Sequence, residues 1–361
     1  MKSITWITPT FFIDVDIQIV PELSKTFKIS WIIVGNKKPD IYSKMENLCN
    51  SNLQLEFHET YSKWYFPITY FKNKKFFNYV INKGGDIIYY DGAPQLFAYY
   101  AALHTLPQEK TVFATHNVKT PKGAHHEMLA RYFMKQLLNH FQNFQVFSKN
   151  QRDYLKSMVS NKNVLYAPLT LKDYGHKGER TEKRINFLSF GHIRHYKRVD
   201  LLIKAAQQLY EDTDVDLKVT IAGNCPEWEK YNKLIMYNHL FDLHIGFIKD
   251  EKVPELFANA DYLILPYQDL AQSGAITVSF NYNVPVIASD IPQFQEFVDE
   301  GKNGFLFKTE STMELKNVMK KALLLSKSDY QQLVETTNEY VKQNYSLASI
   351  AEKYIEYFNK F

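Results

Sequence analysis

Short, almost wholly apolar runs alternate along this chain with longer stretches whose apolar residues recur every three or four positions. In the first half, Ser30-Trp-Ile-Ile-Val-Gly35, Asp86-Ile-Ile-Tyr-Tyr90, Thr111-Val-Phe-Ala-Thr115 and Gln145-Val-Phe147 are rich in β-branched and aromatic residues and predict strands. Ile185-Asn-Phe-Leu-Ser-Phe190, Lys218-Val-Thr-Ile-Ala222, Tyr262-Leu-Ile-Leu265 and Pro285-Val-Ile-Ala288 do the same in the second half. Between them the period is helical. Leu201, Leu202, Ala205, Ala206 and Leu209 share one face, as do Leu315, Val318, Met319 and Ala322, the latter behind the capping signature Ser311-x-x-Glu314. At the end of the chain Ile350, Tyr354, Phe358 and Phe361 fall at helical spacing behind Ser349-x-x-Glu352, which predicts a terminal helix whose apolar face needs a partner. Strands that are apolar throughout belong to parallel sheets covered on both faces. The expected class is therefore α/β, with two Rossmann-like doubly wound domains facing each other across a cleft and ligands at the carboxyl ends of the strands.

Composition narrows the picture. A chain of 361 residues suits two domains, and 45% hydrophobic with 23% charged residues excludes a disordered protein. Residues 4–13 read as a first buried strand and its loop rather than a signal peptide, because Pro9 interrupts the run and Asp14 and Asp16 close it without a small-residue cleavage site. No run of about 18 apolar residues offers a membrane span. Cys49 and Cys225 are too few for a disulfide framework or a cysteine metal cluster, so a reducing, cytoplasmic setting is expected. The net charge of +4 hides an asymmetry: 20 Lys and Arg face 12 Asp and Glu in residues 1–168, a net +8, which leaves −4 for residues 169–361. The change falls at Ala167-Pro168, and the polar stretch from Lys172 to Arg184 reads as a linker. The expected domains are 1–168 and 169–344, with the terminal helix in 345–361.

Three elements carry candidate chemistry. Phe190-Gly191-His-Ile-Arg194-His-Tyr-Lys197 follows a predicted strand and precedes a helix starting near Val199. Glycine lets the backbone turn tightly there, and two cations ahead of a helix suit an anion; alone, the spacing is equally a solvated basic turn. Gln272-Ser273-Gly274-Ala275 stands behind the predicted strand ending at Pro266 and opens a helical stretch reaching Phe280. Its backbone N–H groups either meet a phosphate or are simply capped. Glu296, ahead of Gly301 and Gly304, either orients a ligand hydroxyl or a basic partner, or sits in a first helical turn where the dipole favours a carboxylate.

In this order and spacing, the elements resemble the C-terminal domain of the group 1 GT-B glycosyltransferases, from about Asn186 to Phe307, with Ile221-Ala-Gly223, His244-Ile-Gly246-Phe247-Ile248 and Phe257-Ala-Asn-Ala-Asp261 among them. The resemblance implies a retaining enzyme that moves a sugar from a nucleotide-sugar donor to a glycan or lipid-linked acceptor in cell-surface polysaccharide synthesis. By position, Arg194 and Lys197, turned by Gly191, match the cations that neutralise the donor diphosphate. Gln272, Ser273, Gly274 and Ala275 match the phosphate loop, Gly246, Phe247 and Ile248 the wall near the base, and Glu296 a further donor contact. Most members flank that loop with two glutamates separated by seven residues. Here the positions fall near Leu270 and Val278, with Asp269 one residue out of register, so the chain looks like the Gln-Ser-Gly subset and its nucleotide is left open between UDP and GDP.

In the N-terminal half, Thr115-His116-Asn117 resembles the family's His-Asp or His-Asn step, whose histidine lies by the donor sugar, and Phe147-Ser148-Lys149 its strand-to-Ser element. His116, Arg194 and Lys197 are thus the catalytic candidates. In such enzymes the loop after the first strand, here with Asp14 and Asp16, approaches donor and acceptor, and the terminal helix crosses back to the N-terminal domain. A departing diphosphate needs cations and helix amides where charge develops. With no Asp-x-Asp at a strand end, no metal and no cofactor beyond the donor is expected. A nucleotide-sugar epimerase of the same architecture and a non-catalytic sugar-nucleotide-binding subunit are the competing readings.

The segment from Tyr61 to Gly85 holds Lys63, Lys72, Lys74, Lys75 and Lys83 and no acid, interleaved with Tyr61, Trp64, Tyr65, Phe66, Tyr70, Phe71, Phe76, Phe77 and Tyr79. It reads either as a helix with buried aromatics or as a dock for an anionic inner membrane face presenting a lipid-linked acceptor. The +8 is spread too widely for a nucleic-acid module.

Overall fold

The computed structural model describes residues 1–60, 67–92, 96–119, 127–213, 215–270 and 273–361. They form two compact units, the first comprising Met1–Thr170 with Tyr345–Phe361 and the second Leu171–Asn344. The first unit is one sheet of β1 (Ser3–Pro9), β2 (Lys28–Gly35), β3 (Leu53–Glu59), β4 (Ile87–Asp91), β5 (Thr111–Thr115), β6 (Asn143–Val146) and β7 (Asn163–Tyr166) in the order β3-β2-β1-β4-β5-β6-β7. The second holds β8 (Ile185–Phe190), β9 (Leu217–Gly223), β10 (Phe241–Ile245), β11 (Tyr262–Leu265), β12 (Val286–Ser289) and β13 (Gly304–Phe307) in the order β10-β9-β8-β11-β12-β13. Every named strand pair is parallel. The α/β class and its two Rossmann-like units are as the alternating pattern predicts. Each sheet reverses its winding once, between β1 and β4 and between β8 and β11, and these are the points where such sheets open a crevice for ligands.

Alternation along the strands builds two cores in the first unit. Ile4, Trp6, Trp31, Ile33 and Tyr89 pack on one side, and Ile7, Ile32, Ile88, Tyr90 and Phe113 on the other. The terminal helix closes the first of these, with Ile350, Tyr354 and Phe358 buried and the ring of Phe358 edge-on to Trp6. Its start is earlier than predicted: Ser346 caps it by accepting from Ser349 N, and the helix runs Leu347–Phe358, leaving Phe361 outside it and on the surface. The polar stretch after Lys172 is no loose linker either. Arg180 grips the buried carboxylate of Asp261 with two hydrogen bonds of 2.8 and 2.7 Å, and Thr181 N and Glu182 N both donate to Asn259 Oδ1.

The expected loop with Asp14 and Asp16 is instead a 3-10 turn, Thr10–Phe12, leading into the helix Ile13–Leu23. Asp16 is fully buried and accepts from Trp6 Nε1 at 2.9 Å and Thr8 Oγ1 at 2.5 Å, so it faces the core rather than an acceptor. Burial first, and the charge of Asp91 second, push its carboxyl well above the ordinary aspartate range. A carboxyl that binds its proton more tightly when folded favours folding fully below the unfolded value of about 4, and that contribution is lost as pH rises through the raised one. Asp16→Asn keeps an acceptor for Trp6 and Thr8 without the titration. It is expected to melt a few degrees above wild type at pH 7, with the gap closing toward pH 4, in melting curves taken across that range.

Within the basic aromatic segment, the helix Ile68–Lys83 buries Phe76 and Phe77 while leaving Ile68 and Phe71 exposed. Lys63, Tyr61, Trp64, Tyr65 and Phe66 lie outside the described residues. No described helix is long and apolar enough to cross a membrane.

Candidate functional site

In the second unit the loops after β8 and β11 meet at the switch point. Gly191 leaves β8 with φ +101, the 3-10 turn His195–Lys197 follows, and the helix Val199–Thr213 starts where predicted. Tyr196 O accepts from Gln268 N at 2.8 Å, which ties this turn to the loop behind β11. Lys197 Nζ lies 5.2 Å from the centre of the Tyr267 ring and 3.4 Å from the position a Cβ on Gly191 would take.

The three cations of this turn differ in their partners. Arg198 is held by Asp200 at 3.0 Å and Glu310 at 2.9 Å. Arg194 and Lys197 have no carboxylate partner among the described residues, and they repel each other. Burial, then Arg194, lowers the Lys197 ammonium to about 8. The His192 imidazole beside them is pushed down by desolvation first and then by both cations. Two adjacent positive charges without a counter-charge are a site for an anion.

The second half of the site is the start of the helix Gly274–Asn281. Ser273 caps its backbone without a side-chain capping bond, and Ser273 Oγ is buried with no hydrogen bond of ordinary geometry among the described residues, lying beside the Tyr267 phenol. Ala275 is buried in the first turn. Gln272 falls outside the described residues. Lys172, which the sequence placed in a linker, brings its Nζ to 3.7 Å from the position of a Cβ on Gly274, adding a cation to this helix start. The family's glutamate positions are part of the core here: Leu270 and Val278 are both buried, and Asp269 Oδ1 accepts from Gln293 Nε2 at 3.3 Å.

A third strand end, that of β10, carries an exposed aromatic ring. Gly246, at φ +140, donates its N–H to Gly223 O at 3.1 Å, and Phe247 is 85% exposed, with Ile248 partly buried beside it. Gly191 N and Ile193 N donate in turn to Ala222 O and Asn224 O, each at 2.9 Å, and a Cβ on Gly223 would fall 2.1 Å from Gly191 O. Glu296 does not occupy a first helical turn. It follows the last residue of the short helix Pro292–Gln295, where the dipole disfavours a carboxylate, so the dipole reading of Glu296 falls away.

In the first unit His116 leaves β5, with its ring stacked between Phe12 (centroids 3.9 Å, 21°) and Phe147 (4.2 Å, 16°). Its Nε2 lies 3.1 Å from Oδ1 of Asp91, the fully buried last residue of β4. Ser148 caps the next helix by accepting from Gln151 N. Phe12, Asp91 and Lys172 carry no local motif, and only the fold brings them to these places.

Residues 172–340 match the family model of the glycosyl transferases group 1. Among characterised proteins, the N-acetyl-alpha-D-glucosaminyl L-malate synthase of Bacillus anthracis is 24% identical over 185 residues, 51% of this chain and 46% of that protein, so the match spans about half the length of that relative. Among solved structures, a glycosyltransferase from Rickettsia africae superposes with a TM-score of 0.74 at 14% identity, covering 99% of this chain and 98% of that one. The Anabaena protein HepE, solved with UDP and glucose, gives 0.73 at 14% identity over the whole of both chains. The segment 172–340 is thus similar to the group 1 glycosyl transferases, and the chain as a whole shares its fold with these solved structures.

Proposed function

We propose that this protein transfers a glycosyl group, with retention at the anomeric carbon, from a nucleoside-diphosphate sugar to a glycan or lipid-linked acceptor in the making of a cell-surface polysaccharide. The observation that carries the reading is the pair of uncompensated cations, Arg194 and Lys197, at the switch point beside the helix start at Gly274. A departing diphosphate gathers negative charge, and cations with helix amides stabilise it without a metal. Gly246, Phe247 and Ile248 would form the wall against the base, with the exposed Phe247 ring the natural stacking surface. Glu296 would approach the sugar or ribose hydroxyls, and His116 would meet the donor sugar. UDP is the first nucleotide to test, since HepE was solved with it.

The same reading assigns the acceptor to the first unit. There the helix Ile68–Lys83 exposes Ile68 and Phe71 beside Lys72, Lys74 and Lys75, a surface suited to an anionic bilayer at the cytoplasmic face.

A thermal-shift screen of UDP, GDP and ADP and their sugars tests the donor assignment, because a ligand stabilises the state it binds in proportion to its occupancy. At least one nucleoside diphosphate is expected to raise the melting temperature by several degrees. The matching sugar nucleotide should then be consumed only with an acceptor, giving a product of unchanged anomeric configuration by NMR. No shift with any nucleotide defeats the proposal. Release of free sugar without acceptor would favour an epimerase, and binding without turnover a non-catalytic subunit.

A further inference from the structure

Asp91 ends β4 at the switch point of the first sheet and is fully buried, yet the only hydrogen-bond partner of its carboxylate among the described residues is His116, 3.1 Å away. Its second oxygen, Oδ2, has none. A buried carboxylate ordinarily fills its lone pairs, so one whose single contact is an imidazole is committed to that ring. Phe12 and Phe147 clamp the ring from both faces and fix its plane, and Asp91 fixes its rotation within that plane. An acceptor at Nε2 keeps the proton of a neutral imidazole there. Nδ1, which has no hydrogen-bond partner among the described residues, is left with its lone pair, and the side chain stays 14% exposed.

The second buried carboxyl nearby, Asp16, bears on where the charge resides. Two carboxyls interacting in a dry interior do not both ionise. Asp16 is pushed well above the ordinary range by burial and by Asp91, whereas burial raises Asp91 but the His116 charge and hydrogen bond oppose it. Both carboxyls are raised, Asp16 the further, and only Asp91 has a partner in His116 that favours its charged form.

We propose that Asp91 is a positioning residue for sugar transfer: it holds His116 as the Nε2–H tautomer in one orientation, so that Nδ1 accepts a hydrogen bond from a hydroxyl of the bound sugar. The proposal rests on the glycosyltransferase reading above, and its test separates the two. Long-range proton–nitrogen NMR correlations of histidine-labelled protein at pH 8, with His116 assigned by His116→Gln, are expected to show a single Nε2–H tautomer. Asp91→Asn, whose amide either donates or accepts, should mix the tautomers. In transfer assays Asp91→Asn should lower kcat about 10–100-fold with donor KM within about threefold, the loss usual for an outer-shell partner. Adding it to His116→Ala should cost nothing further, as expected of residues acting as one unit.

An Nδ1–H tautomer or an imidazolium in the wild type overturns the proposal, as does wild-type kcat in Asp91→Asn or losses that multiply in the double variant. If Asp91→Asn fails to fold, the wild-type spectrum still decides the tautomer. If no donor and acceptor pair supports transfer, the enzyme reading fails, while the spectra still rule on Asp91 and His116.

Discussion

Replacing Arg194 and Lys197 together with alanine is expected to abolish transfer and erase the thermal shift given by a nucleoside diphosphate, while the unliganded fold stays at least as stable as wild type. Each charge-assisted hydrogen bond to a phosphate is worth about 1.5–3 kcal/mol, so losing two weakens donor binding by about 10²–10⁴. Removing one preorganised stabiliser of transition-state charge costs about 10²–10³ in kcat, and here both are removed. The opposite effect on the free protein follows from the same charges. Arg194 and Lys197 repel each other, no described carboxylate offsets them, and Lys197 is partly desolvated, so alanine relieves a cost instead of breaking a bond. Paired melting curves with and without UDP, alongside a transfer assay, read both halves. Undiminished turnover in the double variant would sink the assignment of the donor site.

Affinity for a nucleoside diphosphate is expected to hold steady up to about pH 7 and to fall up to tenfold per unit above about 8. Burial and Arg194 bring the free Lys197 ammonium down to about 8, and a phosphate beside it restores its preference for the charged form. Binding above pH 8 must therefore capture a proton. The nucleotide itself does not account for the change, because a terminal phosphate ionises near 6. Titration calorimetry in buffers of different ionisation enthalpy counts the protons taken up, and Lys197→Arg, which stays charged, is expected to flatten the profile. Stability of the unliganded protein moves the other way. A lysine whose folded value is depressed lets the unfolded chain bind more protons between about 8 and 10.4, so this residue adds stability as pH rises through that window. A flat affinity profile to pH 9 would remove Lys197 from direct phosphate contact.

The strands legible in the sequence are largely those covered on both faces, because only there does the pattern become uniformly apolar. β3, β7, β10 and β13 were not evident, and they are the four sheet edges. β3 reads Leu-Gln-Leu-Glu-Phe-His-Glu and β10 Phe-Asp-Leu-His-Ile, alternating sequences with half-exposed side chains. The helix after β1 reads as a loop in the sequence, where Pro9 interrupts the apolar run and Asp14 and Asp16 close it. Asp16 is instead buried, accepting from the Trp6 indole and the Thr8 hydroxyl of β1, and Thr8 accepts in turn from the Trp31 indole of β2. The basic turn and the Ser273-Gly274 step were legible since each is contiguous in the chain. Lys172 and Asp91 were not, for they reach their sites from about 100 residues before Gly274 and from the strand beside β5.

The backbone bonds that continue past the ends of β8, β9 and β10 bear on how this site meets a ligand. Gly191, Ile193 and Gly246 donate to neighbouring strand ends, so the loops are pinned crosswise before the chain reaches Arg194 and Phe247. Gly223 allows the approach, because any side chain there would strike Gly191 O. A segment pinned in this way has already lost its conformational freedom on folding. An arriving diphosphate has little backbone left to order, and the free energy of its contacts is retained as affinity.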